Sequence, residues 1–123
     1  MNADTKEYSV STKMQQLEPS LLCLSCITEF EIEFGFSLLE NSHKSYPTWY
    51  TFKHLIKILP FTREESTVAA HIRSDLTKKG KLIGAYDLLI AATAKRYDLV
   101  CVTDNFKEFS YIENLKLENW RKP

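Results

Sequence analysis

The sequence predicts an α/β fold built around a small parallel sheet, and three observations carry that expectation. Short apolar runs, at residues 21–27 and 99–102, alternate with longer stretches of helical periodicity, the order expected of a parallel α/β sheet. The run Leu99-Val100-Cys101-Val102 is apolar at every position, as in a strand covered on both faces. Acidic and amide residues follow both runs closely, at Glu31 and at Asp104-Asn105. In open parallel sheets, ligands gather beyond the carboxyl ends of the strands.

The elements follow in order. Residues 1–9 are polar and without periodicity. Val10, Met14 and Leu17 have helical spacing, and Pro19 ends that short helix. The strand run at 21–27 leads to Thr28, which is expected to open a helix reaching about Leu39. Phe30, Phe34 and Leu38, with Ile32, Phe36 and Leu39, give that helix a broad apolar face. A turn region over 41–47 precedes a helix over 49–58, with Trp49, Phe52, Leu55 and Ile56 on one side. Leu59-Pro60-Phe61 reads as a very short edge strand, because proline cannot donate to a central ladder. Thr62, followed by Glu64 and Glu65, starts a helix that Lys78-Lys79-Gly80 ends. Ile83 and residues 88–94 form an Ala- and Leu-rich helix, apolar nearly all round and expected to be buried. A strand over 99–102, a turn over 105–109 and a last strand over 115–117 complete the chain.

Composition narrows the function. With 123 residues, 44% of them hydrophobic and 12% aromatic, the chain is expected to form one globular domain over 1–123. Lys+Arg and Asp+Glu are 16 each, a net charge of +0 that excludes a broad basic coat for holding nucleic acid. Any such contact is local, or a basic partner chain supplies part of it. No apolar run reaches the length of a membrane span, and MNADTKEYSV lacks a basic-then-apolar leader, so the expected location is cytoplasmic. Cys23, Cys26 and Cys101 are an odd set, expected as free thiols. The Cys23-x-x-Cys26 pair in a strand would point to opposite faces. His43, His54 and His71 show no ligand spacing.

The chemistry-bearing residues are Glu31, Asp87, and the Thr103-Asp104-Asn105 turn. Each has a structural alternative. Thr28-x-x-Glu31 is also a capping box, Asp104-Asn105 is a common turn signal, and Asp87 sits where a helix start favours negative charge. Should they converge, like charges and burial would raise their pKa values. A divalent cation relieves both penalties. Mg²⁺ or Mn²⁺ suits such oxygen donors, activates water and neutralises charge growing on a phosphodiester. Metal-assisted phosphodiester hydrolysis is the reaction class this set suggests. Lys53, Lys57, Arg73, Lys78, Lys79 and Lys81 are candidate phosphate contacts or simply solvated helix faces.

Four segments stand out together: KKGKLIGAYDLLIAATA over 78–94, LVCVTDNFKEF over 99–109, LKLENW over 115–120, and LSCIT over 24–28 with Glu31 and Gly35. In this order they resemble the VapC toxins of the PIN-domain family, and the resemblance spans about residues 10–120. It implies a PIN-like three-layer α/β/α fold and a Mg²⁺-dependent (or Mn²⁺-dependent) endoribonuclease, often acting on tRNA. It also implies a homodimer and a cognate antitoxin that covers the acidic site. Carried over, Glu31 and Asp87 match acidic metal-site positions. Asp104 and Asn105 fall in the fourth position, Asp104 binding metal directly or through water and Asn105 orienting a ligand or water. Thr103 is expected to hydrogen-bond a carboxylate.

One departure is large. Family members open with an apolar strand ending in Asp-Thr-Asn, whereas here only Asp4-Thr5-Lys6 occurs, with no apolar strand before it. Asp4 is read as a chance match. The expectation is an N-terminally truncated PIN-like domain whose first, central strand is missing, leaving its neighbours with unpaired backbone groups. Two functions stay open: an active ribonuclease toxin, or a catalytically inactive remnant that only binds an antitoxin or a partner subunit.

Overall fold

The computed structural model describes residues 22–39 and 43–119. The expected helix around Val10, Met14 and Leu17, the Asp4 match and Trp120 lie outside these. Strand β1 (Cys23–Ser25) runs directly into helix α1 (Cys26–Ser37). The helix therefore starts before Thr28, because Ser25 caps it: the Ser25 hydroxyl accepts the Ile27 N–H at 3.0 Å. Thr28 and Glu31 consequently form no capping box, and Glu31 lies in the second turn. Cys26 belongs to the helix and Cys23 to the strand, and all three cysteines are free thiols. None of the residues of α1 is buried, so its apolar face is left largely uncovered.

Helix α2 (Tyr46–Leu55) begins earlier than Trp49, with Pro47 in its first turn, where a missing N–H is harmless. Glu33 of α1 fastens the two helices together. Its carboxylate accepts hydrogen bonds from the Tyr46 hydroxyl at 3.3 Å, Trp49 Nε1 at 3.1 Å and Lys53 Nζ at 2.8 Å. Lys53 also reaches Glu29 at 3.2 Å. Strand β2 (Lys57–Leu59) ends just before Pro60 and pairs in parallel with β1, Leu24 opposite Ile58.

Helix α3 (Arg63–Lys78) opens with a Thr62–Glu65 capping box, in which the Glu65 carboxylate accepts the Thr62 N–H at 3.2 Å and the Thr62 hydroxyl. It closes on Gly80 at φ 69°, with Gly80 N–H bonded to Thr77 O and Lys81 N–H to Leu76 O. That pair of bonds is the Schellman arrangement, which needs a left-handed residue and so favours glycine. Helix α4 (Ala85–Arg96) lies along α3. Ala91 and Ala92 are fully buried at this contact, and with Ile72, Leu76 and Leu88 they form the core that Cys101, Phe109 and Ile112 extend. The expectation of a buried Ala-rich helix is met on this side.

Strand β3 (Cys101–Val102) pairs in parallel with β4 (Leu117–Glu118), and the single turn α5 (Phe106–Phe109) lies between them in sequence. The one small sheet expected from the sequence is thus two, β1-β2 and β3-β4. Between them runs a cleft of about 630 Å³, lined by residues 22–25 on one side and 99–102 on the other. No described strand fills it. This corrects the expectation that 99–102 is covered on both faces: Val100 and Val102 are 47% and 44% exposed on one face, while Cys101 on the other face is buried.

Candidate active site

The site is built where β3 ends and α4 begins. Gly84 sits at the N-cap of α4, its carbonyl accepting the Leu88 N–H at 2.9 Å, so Asp87 falls in the first turn, where exposed N–H groups favour an anion. Beyond Val102 the chain turns through Thr103, Asp104 and Asn105. Thr103 Oγ1 accepts the Asn105 backbone N–H at 3.0 Å and so fixes the turn.

Asn105 is the hub. Its Nδ2 donates to Asp87 Oδ2 at 3.1 Å and to Glu108 Oε2 at 3.1 Å. A primary amide has two N–H donors, and here one goes to each carboxylate. Asp87 is half-buried and, among the described residues, makes no ion pair with a lysine or arginine. Cys101 stands close by on β3. Burial above all, then the Asp87 charge, pushes its thiol up to about 11, so it is neutral at physiological pH and no nucleophile.

The expected convergence is met in part. Asp87 and Asn105 touch directly. Asp104 is exposed on the bend beside them. Glu31 is exposed and makes no hydrogen bond or ion pair among the described residues. Helix α1 nevertheless meets the first turn of α4, through an edge-on contact of Phe30 and Tyr86 with ring centroids 5.7 Å apart. Those residues immediately precede Glu31 and Asp87. Glu108 was not singled out from the sequence. The signal was there, since Asn105-x-x-Glu108 spans the N-cap and third position of α5, the spacing that brings two polar side chains together at a helix start. Among the candidate basic contacts, Lys53 is committed to Glu29 and Glu33, and Lys81 lies 4.7 Å over the Tyr111 ring.

The donor set suits a hard cation, because Asp87 and Glu108 offer carboxylate oxygens at one amide. No group of three or more His, Cys, Asp or Glu among the described residues is arranged to hold a metal. Mg²⁺ nonetheless asks for only one or two carboxylates, completing its shell with water and phosphate. The Asp87–Glu108 pair meets that smaller demand.

An α/β domain with a carboxylate–amide site beyond the end of a parallel strand is the class these features define. The chain matches the PIN domain over residues 4–114. It is 32% identical over 99 residues to ribonuclease VapC2 of Haemophilus influenzae, covering 80% of this chain and 75% of that protein. It is 30% identical over 104 residues to the tRNA(fMet)-specific endonuclease VapC of Salmonella typhimurium, covering 85% and 79%. Among solved structures, FitAcB from Neisseria gonorrhoeae is similar with a TM-score of 0.82 and 29% identity, over 94% of this chain and 87% of that one. The chain belongs to the PIN-domain family, in its VapC group.

Proposed function

We propose that this chain is a metal-dependent endoribonuclease toxin of a toxin–antitoxin pair, hydrolysing RNA phosphodiester bonds, with tRNA as a substrate class. The observation that carries the reading is the Asp87–Asn105–Glu108 arrangement, in which one amide holds two carboxylates and no described basic residue neutralises Asp87. The names of the VapC relatives support the activity. Asp87 and Glu108, with Glu31 nearby on α1, would hold Mg²⁺ or Mn²⁺. When bound, such an ion supplies an activated water and charge neutralisation at the phosphodiester.

The chain's own residues do the positioning. Thr103 locks the turn that presents Asn105. Asn105 takes up one oxygen of each carboxylate, leaving Asp87 Oδ1 and Glu108 Oε1 for other partners. Two carboxylates are thereby kept facing one place without a basic side chain between them.

Protein partners belong to the same proposal. Phe30 is 50%, Phe34 56% and Tyr86 48% exposed, an apolar patch beside the site of the kind that marks an interface. Similar chains come from structures of DNA-bound VapBC and of FitAcB, which supports a cognate antitoxin here. A homodimer and a cytoplasmic setting are parts of the reading too. No helix among the described residues is long and apolar enough to cross a membrane.

The test is RNA cleavage with and without Mg²⁺ or Mn²⁺, comparing the chain with Asp87→Asn. Metal-dependent cutting that the substitution abolishes is the expected result. A second reading, a catalytically inactive chain that only binds antitoxin or a partner subunit, is favoured by the lack of a three-ligand group among the described residues. Antitoxin binding without cleavage in either metal would select it.

A further inference from the structure

Helix α2 carries a row of rings that winds from its contact with α1 out into solvent. Between ring centroids, Phe36 of α1 lies 5.8 Å from His43 and 5.2 Å from Tyr46. Tyr46 lies 6.3 Å from Tyr50, and Tyr50 lies 4.4 Å from His54. Tyr46, Tyr50 and His54 follow at intervals of four residues, so each step advances about 6 Å and turns about 40° around the helix. Tyr46 is accordingly half-buried, while Tyr50 and His54 are exposed. The Tyr50 carbonyl accepts a hydrogen bond from His54 Nδ1 at 2.7 Å, which holds the imidazole in place against the tyrosine.

Charge separates this face from the Phe30–Phe34 patch. Those two phenylalanines stand among Glu29, Glu31 and Glu33 of the same helix, whereas residues 41–63 contain no Asp or Glu. Lys53 is occupied by Glu29 and Glu33 on the side facing α1. Lys44, next to His43, and Lys57, three residues past His54, flank the row in sequence. Both are exposed and make no ion pair among the described residues. In a chain of net charge +0 this is a local positive excess.

Exposed ring faces between cationic ends, with no acid in the segment, suit a ligand in which flat bases alternate with phosphates. We propose that this face of α2 is a stacking platform for single-stranded RNA, with bases on Tyr50 and His54 and backbone phosphates at Lys44 and Lys57. The inference deepens the nuclease reading and rests on it for the nature of the ligand. Glu33 ties α2 to α1, and Phe30 of α1 meets Tyr86 beside Asp87, so one helix separates the platform from the acidic site. Every base has a π face, so the platform supplies grip with little sequence preference.

The experiment uses the full chain in EDTA and a fluorescent, unstructured oligouridine RNA of about 12 nucleotides, followed by anisotropy. Saturable binding is expected. Tyr50→Ala should weaken it about tenfold, and Tyr50→Phe, which keeps the ring, should restore it. Lys44→Gln and Lys57→Gln should each lower the slope of log K against log salt by about 0.7. An abasic oligomer with the same phosphates should bind more weakly than the RNA, and equally well to wild type and Tyr50→Ala. Equal RNA binding by wild type and Tyr50→Ala overturns the proposal, as does an absence of binding. An abasic oligomer that binds as tightly as the RNA overturns it too, and that arm needs no variant to fold. If Tyr50→Ala instead converts a dimer to a monomer in sedimentation, the face belongs to a second copy and the proposal is again overturned. Cleavage on adding Mg²⁺ or Mn²⁺ is scored separately. Its absence with ring-dependent binding intact counts against the nuclease reading alone.

Discussion

Asp87 and Asn105 come from different elements, 18 residues apart in sequence, and meet through a 3.1 Å hydrogen bond from the Asn105 amide to an Asp87 carboxylate oxygen. The same amide nitrogen serves Glu108. Replacing Asn105 by alanine should lower metal-dependent RNA cleavage by about 10–100-fold, the usual effect of losing a partner that orients a ligand. Asp87→Asn should abolish cleavage. Measuring Mg²⁺ dependence for both variants separates the roles: Asn105→Ala keeps activity at raised metal concentration and Asp87→Asn does not. Equal cleavage by wild type and Asn105→Ala would remove Asn105 from the site.

The core gives a second expectation. Phe109 is 2% exposed and packs in the same cluster as Leu76 and Ala92. Phe109→Ala should cost about 3–5 kcal/mol, a large part of the total for a domain of this size. Ala92→Leu, at a fully buried contact of α3 with α4, should cost about 1–3 kcal/mol by overpacking. Urea midpoints at constant m check both.

Cys101 makes stability fall at alkaline pH. Its thiol lies at about 11 in the fold against an ordinary 9.0, raised by burial first and by Asp87 second. The fold favours the neutral thiol, so this contribution is complete below pH 9 and is lost as pH climbs through about 11. Melts of the chain and of Cys101→Val from pH 8 to 11 should diverge, the variant losing less. In native protein at pH 8, Ellman's reagent should consume Cys23 quickly and Cys101 slowly.

The Glu33 hub predicts the opposite slope in acid. Lys53, then Trp49, hold the Glu33 carboxyl below its ordinary 4.5. A depressed carboxyl contributes above pH 4.5 and its contribution is lost as pH falls through the lower folded value. Lys53→Met removes the largest cause. The variant should be less stable at pH 7 and should lose less on going from pH 5 to pH 3, as chemical denaturation at each pH would show.

Much of the fold was legible because its signals are local. The Thr62 cap, the Gly80 stop and the Ala-rich run all act within a few residues, and each appears in the structure where expected. The start of α1 was misplaced because Thr28 and Ser25 are both capable caps. Spacing to Glu31 favoured the first, but β1 ends too early for it. The exposure of β3 was misread for a different reason. An apolar run reports what a strand can bury, and the elements packed on each of its faces determine what it does bury. In the site, Asp87 and Asn105 stood out by position after helix and strand signals. Glu108 did not: the Asn105-x-x-Glu108 spacing signals its bond to Asn105, but its placement beside Asp87 depends on α4 meeting that turn.

The apolar patch on α1 and α4 has a further consequence. Phe30 and Tyr86 are the chain neighbours of Glu31 and Asp87. A protein that settles on those rings stands over the acidic residues without having to contact them. For an inhibitor of the proposed nuclease, affinity and inhibition would then become one quantity: grip on the aromatic rings would set the degree of silencing, and its polar residues could change freely while it still closed the entrance.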